Sequence, residues 1–171
     1  MLSKLIPVGG NKLDEAIILN VKKNYNLIIG QKTAETIKKQ LGCALPPKEE
    51  RTVKVYGRDV LSGLPIEREI SASFVYETIA EYMHSIIDAV RIILEKTPPE
   101  ISSDIIDSGV YLTGGSSNIF ELDKLMAQET ELNINMCEDP ANTVVKGLGR
   151  IIENNKLSAL ALTLKQTYYG G

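Results

Sequence analysis

The chain has 171 residues, of which 43% are hydrophobic and 24% are charged. This composition is ordinary for a globular protein, and the length is enough to bury a core in one or two domains. Nineteen basic and 22 acidic residues give a formal net charge of -3. Because nucleic-acid binding usually needs a basic surface, we expect no nucleic-acid partner.

The cysteines and the single histidine do not form a recognisable reactive or metal-binding motif. Cys43 and Cys137 lie far apart, and neither has a second Cys or His at metal-ligand spacing. We interpret both as free thiols in a reducing cytosol and predict no metal site. His84 has no Ser or Cys partner at a motif spacing, which predicts a surface histidine and no catalytic residue. No apolar run approaches the roughly 18 residues of a membrane span, so we expect a cytoplasmic protein.

The first half of the chain has the pattern of a small α+β unit. We predict, in chain order, an opening strand over LSKLIPVGG (2–10), a helix capped by Asn11 that runs to about Tyr25, a connection over 26–30, a helix over 33–41 that ends at Gly42, a strand from Thr52 and a returning strand over 66–70. Val53 and Val55 alternate with more polar neighbours, so we expect one buried face on this strand and an interruption at 57–59.

The second half has an α/β pattern. A long helix is predicted from Ser71 or Ser73 to about Thr97, and its aliphatic stripe from Val75 to Ile93 indicates packing against a sheet. The elements predicted after it are a short helix over 100–107, a strand over 110–112, a helix over 121–130, a strand over 133–136 and a helix over 141–154. This order predicts helices packed over a sheet. The tail over 156–171 has helix-compatible leucines but no evident role.

The strand over 110–112 ends in a glycine pair, Gly114 and Gly115, which is followed by Ser116 and Ser117. Glycine has no Cβ, so it permits a positive φ and lets another group approach the main chain. Such a pair suits contact with a flat ligand or a phosphate, yet a structural turn is the simpler interpretation of this motif alone. The motif lacks the Gly-Lys-Ser/Thr of a P-loop and the three glycines of a dinucleotide-binding fingerprint.

Several longer motifs accompany this turn. They are VGGNKLDEAI (8–17), YNLIIGQKTAETIK (25–38), YGRDVLSGLP (56–65), LEKTPPEISSDIIDSGVYLTGGSSNI (94–119) and CEDPANTVVKGLGR (137–150). From about Ser3 to Asn154 the chain resembles the carboxyl-terminal lobe of the MreB family, the bacterial actin homologues that determine rod shape. The resemblance implies an α/β, actin-like (ribonuclease H-like) ATPase fold, in which two lobes hold Mg-ATP in the cleft between them.

The resemblance also implies how the chain is divided. Residues 1–10 and 72–155 would form a large α/β subdomain, residues 11–71 an inserted small α+β subdomain, and residues 156–171 a tail. Family members are roughly twice this length, and their amino-terminal half carries the phosphate loops and the residue that positions the attacking water. Met1 is therefore expected to be a start within a longer gene or the start of a truncated paralogue.

The resemblance assigns an adenosine site. Gly114 and Gly115 would carry the backbone against which the nucleoside lies, with Ser116 and Ser117 nearby. Glu35 and Lys38 would flank the ribose and the adenine from a helix of the small subdomain. These two residues are three positions apart, so they share one face of a helix. Without the resemblance, the pair would be interpreted as solvated surface charges.

The chain departs from the family pattern at two positions. Ser116 stands where a third glycine is common, and it is tolerable if its φ stays negative. Asn11 stands where an acidic residue is common, which removes a charge near the cleft and weakens the case for chemistry linked to Mg²⁺. We expect these changes to reduce nucleotide affinity.

Other charged residues have simpler interpretations. Asp14 and Glu15 are expected in the first turn of a helix, where acidic side chains stabilise the helix dipole, rather than as an acid/base pair. Arg58 and Asp59 are expected as solvated turn charges, and the alternative is a contact between subunits along a filament.

The function implied by the resemblance is that of a cytoskeletal protein. The intact family binds and hydrolyses ATP, polymerises, and organises cell-wall synthesis at the inner face of the cell membrane. Its implied partners are neighbouring subunits, the amino-terminal lobe, and membrane and cell-wall synthesis proteins. This chain would supply adenosine contacts and, without phosphate loops, should not hydrolyse ATP alone. The alternatives are a lobe of a chaperone-like or sugar-kinase-like ATPase and a truncated paralogue that binds only proteins.

Overall fold

The computed structural model describes residues 2–154 and Leu157. The helices and strands in this part of the chain are α1 (Gly10–Tyr25), β1 (Leu27–Ile28), α2 (Gln31–Leu41), β2 (Thr52–Asp59), β3 (Pro65–Ser71), α3 (Ala72–Glu95), α4 (Pro99–Ser108), β4 (Val110–Leu112), α5 (Leu122–Thr130), β5 (Ile134–Met136) and α6 (Thr143–Glu153). Short 3-10 turns cover Gly115–Asn118 and Pro140–Asn142. Apart from Leu157, the predicted tail over 156–171 lies outside the described residues.

The first sheet is antiparallel and contains β1, β2 and β3 in that order. Thr52 of β2 pairs with Ser71 of β3, and the ladder continues to the far end of both strands. Val55 is buried and Val53 is half-buried, as the alternation predicted. The predicted connection over 26–30 was wrong in part, because it contains β1, whose Leu27 pairs with Asp59.

The predicted interruption of β2 at 57–59 was also wrong. β2 continues through Asp59 because β1 lies directly beside it at Gly57. A Cβ at Gly57 would lie 2.5 Å from the carbonyl oxygen of Ile28 and 2.9 Å from Cγ of Leu27. The missing side chain therefore lets the three strands pair. The carboxylate of Asp59 accepts hydrogen bonds from the backbone N–H and the hydroxyl of Ser62, both at 2.7 Å, and so it stabilises the turn after β2.

The core lies between the helices and the first sheet. α3 contributes the aliphatic stripe that its periodicity predicted, with Val75, Ile79, Met83 and Ile87 buried. Its first turn is capped by Ser71, whose hydroxyl accepts a hydrogen bond from the Phe74 N–H at 3.3 Å. The buried residues of α1 and α2 that join this core are Leu13, Ile17, Val21, Ala34, Ile37 and Leu41. His84 is exposed on α3, as expected.

The second sheet consists of the parallel strands β4 and β5. Val110 pairs with Ile134 and Leu112 with Met136, and α5 lies on the connection between the two strands. Gly109 precedes β4 with a φ of 74°, and a Cβ there would lie 2.5 Å from the carbonyl oxygen of Asn133. Only glycine fits the start of this strand.

Two local predictions near the amino terminus were wrong. Residues 2–6 do not form a strand, and Leu5 is 99% exposed, because no strand among the described residues pairs with them. Asn11 does not cap α1; Gly9 occupies that position, and its carbonyl accepts hydrogen bonds from the N–H groups of Lys12 and Leu13. The prediction that α2 ends at Gly42 was right, since the helix stops at Leu41 and Gly42 caps it.

No helix within residues 2–154 has both the length and the apolar character that crossing a bilayer requires.

The close contact at Gly57 makes a prediction about stability. Gly57→Ala should lower the free energy of unfolding by about 1–3 kcal/mol, because the added methyl group would collide with the main chain of β1. Gly147→Ala is the matched control: nothing lies within 4 Å of a Cβ at that position of α6, and it should raise the free energy of unfolding by about 0.5–1 kcal/mol. Urea denaturation of both variants measures these changes; equal effects would contradict the packing role of Gly57.

Candidate functional site

The glycine pair after β4 forms a turn that is anchored on one side and open on the other. Gly114 has a φ of 91°, which strains any residue with a side chain. Its N–H donates a hydrogen bond to the carbonyl of Pro140 at 2.7 Å, and the Thr113 hydroxyl donates to the same carbonyl at 3.1 Å. A Cβ at Gly114 or Gly115 would meet nothing within 4 Å. The main chain of the turn is therefore accessible to a ligand.

The two serines that follow have different roles. Ser117 is buried, and its hydroxyl and N–H both donate hydrogen bonds to the carbonyl of Gly114, at 2.6 Å and 3.1 Å. It therefore holds the turn in shape. Ser116 has no positive φ, so a serine replaces the family's third glycine without backbone strain.

Lys38 of α2 reaches across to the start of α1. Its Nζ lies 2.8 Å from Oδ1 of Asp14 and donates a hydrogen bond to the carbonyl of Gly10 at 3.0 Å. The side chains of Lys38 and Asp14 are only 13% and 5% exposed. A charge so far from water is tolerated only when it has a partner, so each residue of this pair requires the other.

Ser116 meets Lys38 at Gly10. A Cβ at Gly10 would lie 3.4 Å from Nζ of Lys38 and 3.4 Å from Oγ of Ser116. Both atoms are the ends of side chains at ordinary contact distance, so α1, α2 and the turn after β4 meet at this position. Two residues predicted from separate motifs, Lys38 and Ser116, therefore lie at one place.

Glu35 is not part of this cluster. Its Oε1 lies 2.7 Å from Nζ of Lys39, and its side chain is 46% exposed. The hydrogen bond from Lys39 holds the pKa of the Glu35 carboxyl below its usual value. The predicted contact of Glu35 with a ribose stays a prediction.

The sequence interpretation of Asp14 was wrong. α1 begins at Gly10, so Asp14 and Glu15 lie in the second turn, and the first turn has no acidic residue. Asp14 is buried between Leu13 and Ile17 on the inner side of the helix. An acidic residue at the spacing of a buried apolar stripe was the signal in the sequence that could have revealed a buried ion pair.

A junction of main-chain hydrogen bonds fixes the distance between α2 and the turn after β4. The N–H of Ala44 donates to the carbonyl of Phe120 at 2.8 Å, and the Phe120 N–H donates to the carbonyl of Gly42 at 3.3 Å. Cys43 lies between them as a buried free thiol, and burial raises its pKa. These hydrogen bonds lie shortly after Lys38 and shortly after Ser116 in the chain. They therefore hold the two residues in fixed positions relative to each other.

A cleft of about 390 Å³ opens beside this junction, and it is lined by Cys43, Pro47, Lys48, Glu49, Arg51, Phe120 and Glu121. The hydrogen bond from Lys124 holds the pKa of the Glu121 carboxyl below its usual value. None of the residues predicted to contact adenosine lines this cleft.

The described part of the chain contains no group of three or more His, Cys, Asp or Glu side chains placed to hold a metal ion. Asn11 lies exposed in the first turn of α1. The candidate site offers one ammonium group, one hydroxyl and an open main chain.

The buried ion pair makes a second prediction. Asp14→Ala should lower the free energy of unfolding by about 3 kcal/mol, because it leaves the ammonium of Lys38 buried without its partner. The control is Lys39→Ala, which breaks only the exposed pair with Glu35 and should change stability little. Urea denaturation compares the two variants. A small effect at Asp14 would show that Lys38 turns to solvent when unpaired.

Comparisons with known proteins show the family to which the chain belongs. The sequence model of the MreB/Mbl protein family matches residues 1–159. The cell shape-determining protein MreB of Escherichia coli is 38% identical over 151 residues, which are 88% of this chain and 44% of that protein. The protein Mbl of Bacillus subtilis is 37% identical over 152 residues, which are 89% of this chain and 46% of Mbl. The chain thus spans less than half the length of these relatives.

Solved structures give the same result. MreB5 of Spiroplasma citri bound to AMPPNP superposes with a TM-score of 0.82 at 35% identity, covering 91% of this chain and 47% of that one. A MamK double helical filament superposes with a TM-score of 0.72 at 20% identity, covering 87% of this chain and 46% of MamK. The predicted actin-like α/β fold of one lobe is confirmed. The chain belongs to the MreB/Mbl family.

Proposed function

We propose that this chain forms the adenosine side of the nucleotide site of an MreB/Mbl protein. The observation that carries the proposal is the convergence of Lys38, Gly10 and Ser116 beside the open turn of Gly114 and Gly115. Two structures of Spiroplasma citri MreB5, one bound to AMPPNP and one bound to ADP, support nucleotide binding in a relative that is about one-third identical.

Each residue of the site would have a distinct role. The main chain of Gly114 and Gly115 has no Cβ on its open side, so a flat base could lie against it. Asp14 holds the ammonium of Lys38, which leaves the aliphatic stem of that side chain to contact the nucleoside. The hydroxyl of Ser116 can donate a hydrogen bond to the sugar or the base. Glu35 could contact the ribose only if its carboxylate gave up the ion pair with Lys39.

The phosphates of the nucleotide would be bound by the other lobe of the complete protein. The described residues contain no phosphate loop of the kind that cradles a nucleotide triphosphate, and the chain covers only 44% of Escherichia coli MreB. We therefore propose that ATP hydrolysis, with any Mg²⁺ it uses, belongs to a complete two-lobe protein and not to this chain alone.

The cellular role follows from the family. Relatives matched along nearly the whole chain are named cell shape-determining proteins, and two solved MamK structures are filaments. We propose that the complete protein binds ATP, polymerises into filaments and organises cell-wall synthesis at the inner face of the membrane. Its partners would be neighbouring subunits and proteins of the membrane and of cell-wall synthesis.

Nucleotide binding can be tested by complementation. We expect this chain, mixed with the separately expressed amino-terminal half of Spiroplasma citri MreB5, to bind a fluorescent ATP analogue. Gly114→Ala should weaken binding about tenfold or more, which corresponds to 1.4 kcal/mol, because the methyl group strains the turn and enters the open space. Fluorescence anisotropy measures the affinity.

The control for this substitution is Gly63→Ala. Gly63 also has a positive φ, 73°, and nothing lies within 4 Å of its Cβ position, but it lies in the turn between β2 and β3. It should suffer similar backbone strain without losing affinity. Equal losses for both variants would mean that strain alone causes the effect. Absence of binding by the unmodified mixture, with both halves folded, would favour a paralogue that binds only proteins.

Filament assembly can be tested separately at the turn after β2. Arg58 is exposed, whereas Asp59 is bound to Ser62. If this turn contacts a neighbouring subunit, Arg58→Glu should reduce the polymer that the complemented protein forms with ATP, and nucleotide affinity should not change. Lys22→Glu, on the exposed side of α1, is the charge-matched control. Sedimentation measures the polymer, and equal loss in both variants would argue against a contact at Arg58.

A further inference from the structure

The cleft beside the junction of main-chain hydrogen bonds has the size of a small-molecule site. Its volume is about 390 Å³, and sites for small molecules usually measure about 300–1,000 Å³. Two segments far apart in the sequence enclose it, within residues 43–51 and at residues 120–121. Ligand sites commonly lie where separate parts of a fold meet. The cleft is therefore a candidate for a second binding site.

The floor of the cleft is fixed, and its charge is already balanced. Cys43 is only 1% exposed, and its thiol donates a hydrogen bond to Oε2 of Glu121 at 3.7 Å. The other carboxylate oxygen of Glu121 lies 2.8 Å from Nζ of Lys124. Because the Glu121 carboxylate has both of these partners, it does not need a positive charge from a ligand.

One wall of the cleft is the aromatic ring of Phe120. This residue is 59% exposed, although burial of an aromatic ring is strongly favourable. Cζ of Arg51 lies 6.0 Å from the centroid of the ring, which is the outer limit of a cation–π contact. The wall therefore offers a flat apolar surface beside a guanidinium group.

The rim of the cleft carries three charged side chains without an ion-pair partner. Lys48, Glu49 and Arg51 are exposed, and none of the ion pairs within residues 2–154 includes them. Two positive charges and one negative charge leave a net charge of +1 on the rim. A singly charged anion balances this charge, whereas a doubly charged anion exceeds it. A guanidinium group can bind a carboxylate through two parallel hydrogen bonds, which favours a carboxylate as this anion.

We propose that the cleft binds a small aromatic carboxylate, with its ring against Phe120 and its carboxylate at Arg51 and Lys48. Contact between the two rings supplies affinity, and the net positive charge of the rim selects an anion over a cation. The proposal does not rest on nucleotide binding, because no residue predicted to contact adenosine lines the cleft.

Titration of the whole chain with benzoate tests this proposal by two-dimensional amide NMR spectroscopy. We expect saturable shifts at the amides of Cys43, Phe120 and Glu121 at millimolar concentrations of benzoate. Benzylammonium has the same ring with the opposite charge, and acetate has the carboxylate without the ring. Each should bind about fivefold or more weakly than benzoate, because each lacks one of the two contacts.

Substitutions separate the two contacts. Arg51→Gln removes the guanidinium and Phe120→Leu removes the ring, and each should weaken benzoate binding by about fivefold or more. Arg58→Gln is the matched control, since Arg58 is also exposed and lies on β2 but does not line the cleft. It should leave the affinity for benzoate within about twofold of that of the unmodified chain. Amide shifts far from the cleft report whether each variant is folded.

The outcomes decide the proposal. Weaker binding in Arg51→Gln and Phe120→Leu, with Arg58→Gln unchanged, supports it. Equal or tighter binding of benzylammonium overturns it, because the carboxylates of Glu49 and Glu121 would then dominate the cleft. Equal affinity of Arg51→Gln and the unmodified chain also overturns it, as does a benzoate titration that gives no saturable shift at the cleft.

Discussion

The buried ion pair between Asp14 and Lys38 is the interaction on which the site depends. Both side chains are almost excluded from water, and a charge in that position is stable only with its partner in place. The pair therefore fixes α2 against the start of α1. The carbonyl of Gly10 takes a further hydrogen bond from the same ammonium, so the position of Lys38 is determined by two contacts from one helix turn.

Close approach of main chains is the second constraint, and glycine makes it possible. Gly57 lets β1 pair with β2, and Gly114 leaves the turn after β4 open. The hydrogen bonds that join Gly42 and Ala44 to Phe120 then tie α2 to that turn. Together these contacts bring together residues from three distant motifs, and the proposed nucleoside site depends on this arrangement.

The site that we propose is one half of a nucleotide site. The described residues offer an ammonium, a hydroxyl and an open main chain, but no phosphate loop and no metal ligands in a group of three. Relatives more than twice as long as the matched region carry the family's name and fold.

Local patterns in the sequence determined much of the fold. The stripe on α3, the alternation at Val53 and Val55 and the break at Gly109 each depend on near neighbours in the chain, and the motifs around the glycine pair were sufficient to indicate the family. The tertiary structure decided the remaining features, because these depend on which residues far apart in the sequence come into contact. It left residues 2–6 without a partner strand, added β1 to the first sheet, placed Asp14 in the core with Lys38, and paired Glu35 with Lys39. Charges and strand edges find their partners only in three dimensions, so their roles could not be read from spacing along the chain.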